Sequence, residues 1–247
     1  MNDFSFVFCY TRYKGDSMLE EIKFDEKYIN DYINKIDNNL KEYIEKNIMP
    51  KYSLNDKGHN KNHIEFVFKR AIEISKNYDI DYNILYTCVS LHDIACHIDR
   101  EKHEILSAEI AYNDKFLKEY FSHEDLIIIK EAIEDHRASS KNIPRNLYGK
   151  ILSSADRKVS IRNYFVSSLF FGHPNINEVD MEEAINQSYN HAIKKFGKEG
   201  YATKKFYVED DKYKKFLNDL QSLIDNKKEF YRLAKIVFNE VKEGKYE

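Results

Sequence analysis

An all-α fold follows from three features of the sequence. Gly and Pro are scarce, at 7 and 3 residues in 247; Lys, Glu, Ile and Leu are abundant; and apolar residues recur at spacings of three and four, the period of a helix with one buried face. Residues 1–18 show no sustained period, and Gly15 lies shortly before Met18, so this stretch is expected to be a flexible tail, with Met18 as an alternative start. A helical zone over about 25–48 ends at Pro50, since proline breaks the backbone ladder. Asn55-Asp56-Lys57-Gly58 is a loop and helix-start signal. It leads into a helix with Ile64, Val67, Phe68, Ala71 and Ile72 on one face.

The run from Tyr82 to Ile98 is apolar nearly all round, as expected of a helix at the centre of a bundle. Helices over about 103–119, 124–136 and 147–169 follow, with Pro144 in the loop between the last two. Gly172-His173-Pro174 interrupts the pattern, and two or three more helices are expected between about 178 and 241. No internal repeat is evident. The expected organisation is a helical core with an N-terminal helix over 19–170, and a C-terminal helical extension over 171–247 packed on it.

Composition narrows the function. Basic and acidic residues number 39 and 42, a formal charge of -3, which leaves no global excess to draw the chain onto nucleic acid or anionic lipid. Cys9, Cys88 and Cys96 are odd in number and include no CxxC pair, which suits a reducing compartment better than a disulfide framework. No run approaches the roughly 18 apolar residues of a membrane span. Phe4 to Tyr10 follows Asp3 rather than a basic stretch and lacks a leader pattern. A cytoplasmic protein without membrane or nucleic-acid partners is expected, with homo-oligomerisation left open.

Ionisable residues fall where core is expected. Ile129, Ala132, Ile133 and His136 share one helical face, as do Leu152, Ala155, Asp156 and Val159. His92-Asp93 sits among Val89, Leu91, Ile94 and Ala95. His63 borders the face of Ile64 and Val67, and His103 lies beside Leu106, Ser107 and Ile110. Burying such carboxylates is costly unless a cation meets them. A lone histidine on an apolar face is more often a hydrogen-bonded core residue, but a divalent metal satisfies the whole group at once. The nitrogen and oxygen donors favour one or two ions of Fe, Mn, Co, Ni or Zn.

Taken in order, His63…His92-Asp93…Asp156 resembles the H…HD…D signature of the HD superfamily of metal-dependent phosphohydrolases. The surrounding sequence agrees over about 55–165: Lys57-Gly58-His59-Asn60-Lys61-Asn62-His63, Leu91-His92-Asp93-Ile94 and Ser154-Ala155-Asp156-Arg157. The resemblance implies an HD-domain helical bundle with His63, His92, Asp93 and Asp156 as metal ligands. His103 and His136 look like the further histidines of binuclear branches, so two ions are expected, with Asp93 bridging or holding them. Where many binuclear members carry lysine after HDxG or HDxA, this chain has Cys96, so a phosphate-facing lysine is missing and its role passes to Arg100 or Lys102 or is lost. No GYP segment follows His136, which argues against cyclic dinucleotides. The acidic pair of guanosine tetraphosphate hydrolases is also absent from Ile94-Ala95-Cys96-His97.

The implied reaction is hydrolysis of a phosphoester or phosphoanhydride of a nucleotide or other small phosphorylated metabolite by a metal-activated water. Beyond Asp93, catalytic candidates are His59, as a proton donor to the leaving group, and Arg137 and Arg157, whose forks suit phosphate. The substrate-binding candidates are Arg100, Lys102, Lys141 and Arg145, the last two in a basic loop that also approaches Lys150. Two rival readings are a nucleotide-sensing HD module without turnover and a mixed-valent di-iron oxygenase.

Overall fold

The computed structural model describes residues 17–245 except 56, 138–139, 141 and 172–174. These residues form twelve α-helices and no strand, as the composition led us to expect. Helix α1 is Glu26–Ile33 and α2 Asn38–Tyr43. A wide turn at Ile44–Ile48 and a tight one at Met49–Leu54 follow. The helical zone expected over 25–48 is thus cut, because the Asp37 carboxylate accepts from the backbone N–H groups of Asn39 and Leu40 and starts a new helix.

Helix α3 is Lys61–Ser75, capped by Asn60, and α4 is Tyr82–Leu91, capped by Asp81. The chain then leaves the helix seven residues earlier than the apolar run suggested, through consecutive tight turns closed by Ile94 N–H to Leu91 O, Cys96 N–H to Asp93 O and Ile98 N–H to Ala95 O. Helix α5 is His103–Asn113 and α6 Lys115–Tyr120, separated by Asp114, which is extended and caps α6. Helix α7 is His123–Glu134, α8 Leu147–Ala155 and α9 Ile161–Leu169. The single helix expected over 147–169 is therefore two, with Ser160 capping the second. Helices α10 Met181–Phe196, α11 Asp211–Asp225 and α12 Lys227–Lys242 complete the chain. None of the described helices is long and apolar enough to cross a membrane.

The chain divides into two compact units. One comprises Lys23–Arg157 and Lys204–Lys214. In it α4 packs against α3, α7 and α8, which accounts for its apolar circumference. Val67, Ala71, Leu85, Cys88, Val89, Ile129, Ile133, Ile151 and Leu152 are fully buried there. Gly149 lets α8 approach α7 closely, since a Cβ at that position would stand 3.2 Å from Ala132 Cα and 3.2 Å from Pro144 Cβ. The other unit holds Lys158–Thr203 and Lys215–Glu247 with the described residues up to Ile22. Its helices α9, α10 and α12 bury Phe165, Ile185, Ala192, Phe230, Leu233 and Val237.

Within the first unit the returning segment 204–214 is tied down by a buried ion pair. Arg70, on α3, donates through Nη2 to Asp210 Oδ2 at 2.5 Å, and both side chains are almost wholly buried. Asp210 also accepts from Tyr213 N–H. Breaking such a pair from one side leaves Arg70 with only the Glu73 carboxylate at 3.5 Å, so Asp210→Ala is expected to lower unfolding stability by about 3 kcal/mol in urea titration. A loss below about 1 kcal/mol would show that the segment is held by its apolar contacts instead.

Candidate metal centre

The ligating candidates stand at helix ends rather than on helix faces. His63 is in the first turn of α3, His92 caps the C-terminus of α4 and Asp93 follows it, and His103 opens α5. His136 lies two residues past α7, and Asp156 caps the C-terminus of α8. For His136 and Asp156 this differs from the helix faces expected from the sequence. The C-termini of α4, α7 and α8 present the negative ends of their dipoles there, and the N-termini of α3 and α5 oppose them with positive ends.

Three imidazoles are oriented by the same device. Nδ1 of His92, His103 and His136 lies 2.8, 2.9 and 2.6 Å from the carbonyl oxygens of Val89, Arg100 and Ile133, each three residues earlier. With Nδ1–H donating to those carbonyls, each Nε2 presents a lone pair. The Nε2 atoms converge on one buried carboxylate. His63 and His92 stand 3.4 and 3.3 Å from Asp93 Oδ2, while His103 and His136 stand 3.3 and 3.5 Å from Asp93 Oδ1. His63 Nε2 is also 3.1 Å from Asp156 Oδ1, and the Nε2 atoms of His103 and His136 are 3.3 Å apart.

These distances define two groups that share Asp93, each compact enough to surround an ion: His63, His92 and Asp93, and Asp93, His103 and His136. Asp156 joins the first through His63. The fit is supported by two buried atoms, since the Nε2 nitrogens of His63 and His92 make no aligned hydrogen bond although carboxylate oxygens stand 3.1 and 3.3 Å away. Buried nitrogen without such a bond is costly in an interior that otherwise satisfies its polar atoms. Access is one-sided. The side chains of His63 and Asp156 are 16% and 24% exposed, whereas those of His92 and His136 are 0% and 1% exposed.

Electrostatics agree with a concentrated negative centre. Burial opposes ionisation of Asp93, yet His92, His103, His136 and His63 together hold its carboxyl well below the usual carboxylate range. Burial likewise opposes charge on Asp156, but His63 brings it down to about 2. Burial alone would lower His63, and the two carboxylates outweigh it, pushing the ring up to about 9. His136 is raised, burial notwithstanding, by Asp93. Without an ion, a proton on the His63 ring supplies positive charge to the carboxylates.

Three of the cations expected at phosphate, Arg137, Arg145 and Arg157, have other partners. Arg157 is buried, donates to the carbonyls of Ser153 and Lys205, and lies over the rings of Tyr207 and Tyr213 at 5.4 and 4.8 Å. Arg137 donates to Glu101 O at 2.6 Å and to Glu104. Arg145 pairs with Asp135 and Glu134. Arg100 and Lys102 are exposed on the loop before α5, and Lys141 lies outside the described residues. His59 falls in a third group, with Asp93 and Cys96.

Sequence reasoning did not single out Asn55. Its Nδ2 donates to His59 O at 3.0 Å and Asp93 O at 2.9 Å, and its Oδ1 accepts from His97 N–H at 3.0 Å. It thereby ties the turn before α3 to the turns after α4. Two of its three partners lie 38 and 42 residues away, and no local pattern signals them.

No curated protein and no solved structure matches the chain. A family model described as HD domain does match, over residues 61–159. That span contains all six of the converging His and Asp residues, and the helical architecture agrees with it. Residues 61–159 thus carry an HD domain, the helical family whose pattern the six converging residues follow.

Proposed function

We propose that the protein is a binuclear metal phosphohydrolase that cleaves a phosphoester or phosphoanhydride bond in a nucleotide or another small phosphorylated metabolite. The observation that carries this reading is the pairing of four Nε2 atoms, two on each oxygen of the buried Asp93 carboxylate. Asp93 would bridge two divalent ions. His63, His92 and Asp156 would complete one shell, and His103 and His136 the other. Nitrogen and oxygen donors of this kind suit Fe, Mn, Co, Ni or Zn. Such ions supply Lewis acidity toward phosphoryl oxygens and make water acidic enough to attack near neutral pH.

The chain's own residues do the rest. The carbonyls of Val89, Arg100 and Ile133 fix the tautomer and rotation of three rings, so little reorganisation accompanies the reaction. The open edge at His63 and Asp156 is where a phosphoryl group would enter, while the side of His92 and His136 is closed to bulk water. One feature favours a second reading. Cys96 stands where a phosphate-facing lysine is common in binuclear relatives, and Arg137, Arg145 and Arg157 have partners of their own. That pattern suits a nucleotide sensor without turnover.

Metal-free protein reconstituted with each ion, then offered a panel of nucleotides and phosphoesters without oxygen, separates the readings. Phosphate release or a shortened nucleotide is expected with at least one pairing. Tight binding with no product under full metal loading would establish the sensor, and turnover only after oxygen is admitted would establish an oxygenase.

A further inference from the structure

We propose a third cation position, formed by His59, Asp93 and Cys96, that takes a soft divalent ion through the Cys96 thiolate. The inference rests on the reading of Asp93 as a metal carboxylate and goes beyond it by placing a thiolate ligand beside the imidazole centre. One ligand atom from each of the three residues lies within 4.8 Å of the other two. Bonds of about 2.0–2.3 Å to nitrogen, oxygen and sulfur span such a group. It shares Asp93 with the other groups but none of their four histidines.

The three residues are brought together by backbone rather than by chance side-chain contact. Cys96 N–H donates to Asp93 O at 3.1 Å, so both belong to one tight turn after α4. The Asn55 amide then holds the same Asp93 carbonyl and the His59 carbonyl, which sets the turn Lys57–His59 against it. The His59 ring is 5.8 Å from that of His63, whose Nε2 stands 3.4 Å from Asp93 Oδ2 and 3.1 Å from Asp156 Oδ1. The position therefore lies beside two carboxylates, whose charge favours a cation.

A thiolate changes which ions the position accepts. Sulfur favours Zn, Co(II) or Fe(II) and discriminates against Mn and Mg. Binding converts the Cys96 S–H to a metal–sulfur bond and releases its proton to solvent, with no change of oxidation state. Cys88 does not compete, because it is wholly buried and that burial strongly raises its thiol. With three protein donors the shell keeps a coordination place for an exchangeable group, a feature of reactive rather than purely structural sites.

Anaerobic titration of the metal-free full chain with Co(II) tests the assignment. The wild type is expected to bind about three equivalents and to develop an intense near-ultraviolet sulfur-to-cobalt charge-transfer band with one of them. Cys96→Ser should abolish that band and one equivalent while leaving the visible bands of the other two ions. His59→Ala should keep the thiol and weaken the charge-transfer phase by about tenfold or more. Two equivalents bound with no charge-transfer band would overturn the third position and leave the proposed function standing. A band that survives Cys96→Ser would overturn it by assigning the sulfur to another cysteine. Failure to bind cobalt at all, in protein with native circular dichroism, would overturn both.

Discussion

Asp93→Asn is expected to abolish binding at both imidazole positions, reducing bound manganese from about two equivalents to near none and lowering phosphohydrolase turnover at least about a thousandfold. The substitution keeps the size of the side chain and removes its charge. Each oxygen of Asp93 faces two Nε2 atoms, so one carboxylate serves both groups. An amide offers one weak oxygen and one NH2, and the NH2 would meet imidazole lone pairs that need a cation. By contrast, His136→Ala removes a ligand from one group only and should cost about one equivalent. Inductively coupled plasma analysis of both variants reads the difference. Equal losses in the two would mean that Asp93 does not bridge.

Removing the metal is expected to produce the largest change in stability and to reverse its pH dependence. A ligand at about a hundred times its dissociation constant stabilises a fold by roughly 2.7 kcal/mol per site. Chelation should therefore lower the unfolding free energy by several kcal/mol. In the ion-free protein, the His63 ring is raised from 6.5 to about 9 by Asp156 and Asp93, against the effect of burial. Its protonated form therefore stabilises the fold fully below about pH 6.5, and that contribution is lost as pH rises through about 9, on the order of 3 kcal/mol. The lowered carboxyl of Asp156 acts at the other end. Its contribution is present above the ordinary carboxylate range and disappears as pH falls through about 2. In the metal-loaded protein protons compete with the ion for His63, so stability should rise over pH 6 to 9 instead. Urea unfolding at several pH values, with and without chelator, distinguishes the two slopes.

Much of this was legible in the sequence, and the reasons for success and failure are local. His92-Asp93 inside an apolar run, and His136 and Asp156 at helical spacing from buried residues, mark ionisable groups set against the core. That signal survives even though the helices end earlier than the periodicity suggests. The helix ends themselves were harder to read. Asp37, Asp114 and Ser160 sit within apolar-periodic stretches, where the hydrophobic pattern runs on across a capped break, so three expected helices resolve into pairs. The substrate cations were hardest. Arg157 follows a candidate ligand in sequence, yet its guanidinium lies over Tyr207 and Tyr213 and donates to Lys205, about fifty residues later. Nothing near Arg157 announces that partner. Asn55 was hidden for the same reason.

The central claim is that one carboxylate joins two cations, and electron paramagnetic resonance of the manganese-reconstituted protein tests it most directly. Manganese occupies the nitrogen and oxygen positions while disfavouring a thiolate, so the bridged pair is observed without a third ion. The expected result is two equivalents bound and an exchange-coupled dimanganese spectrum that Asp93→Asn eliminates. A simple six-line spectrum from magnetically isolated ions at full loading would contradict the bridge.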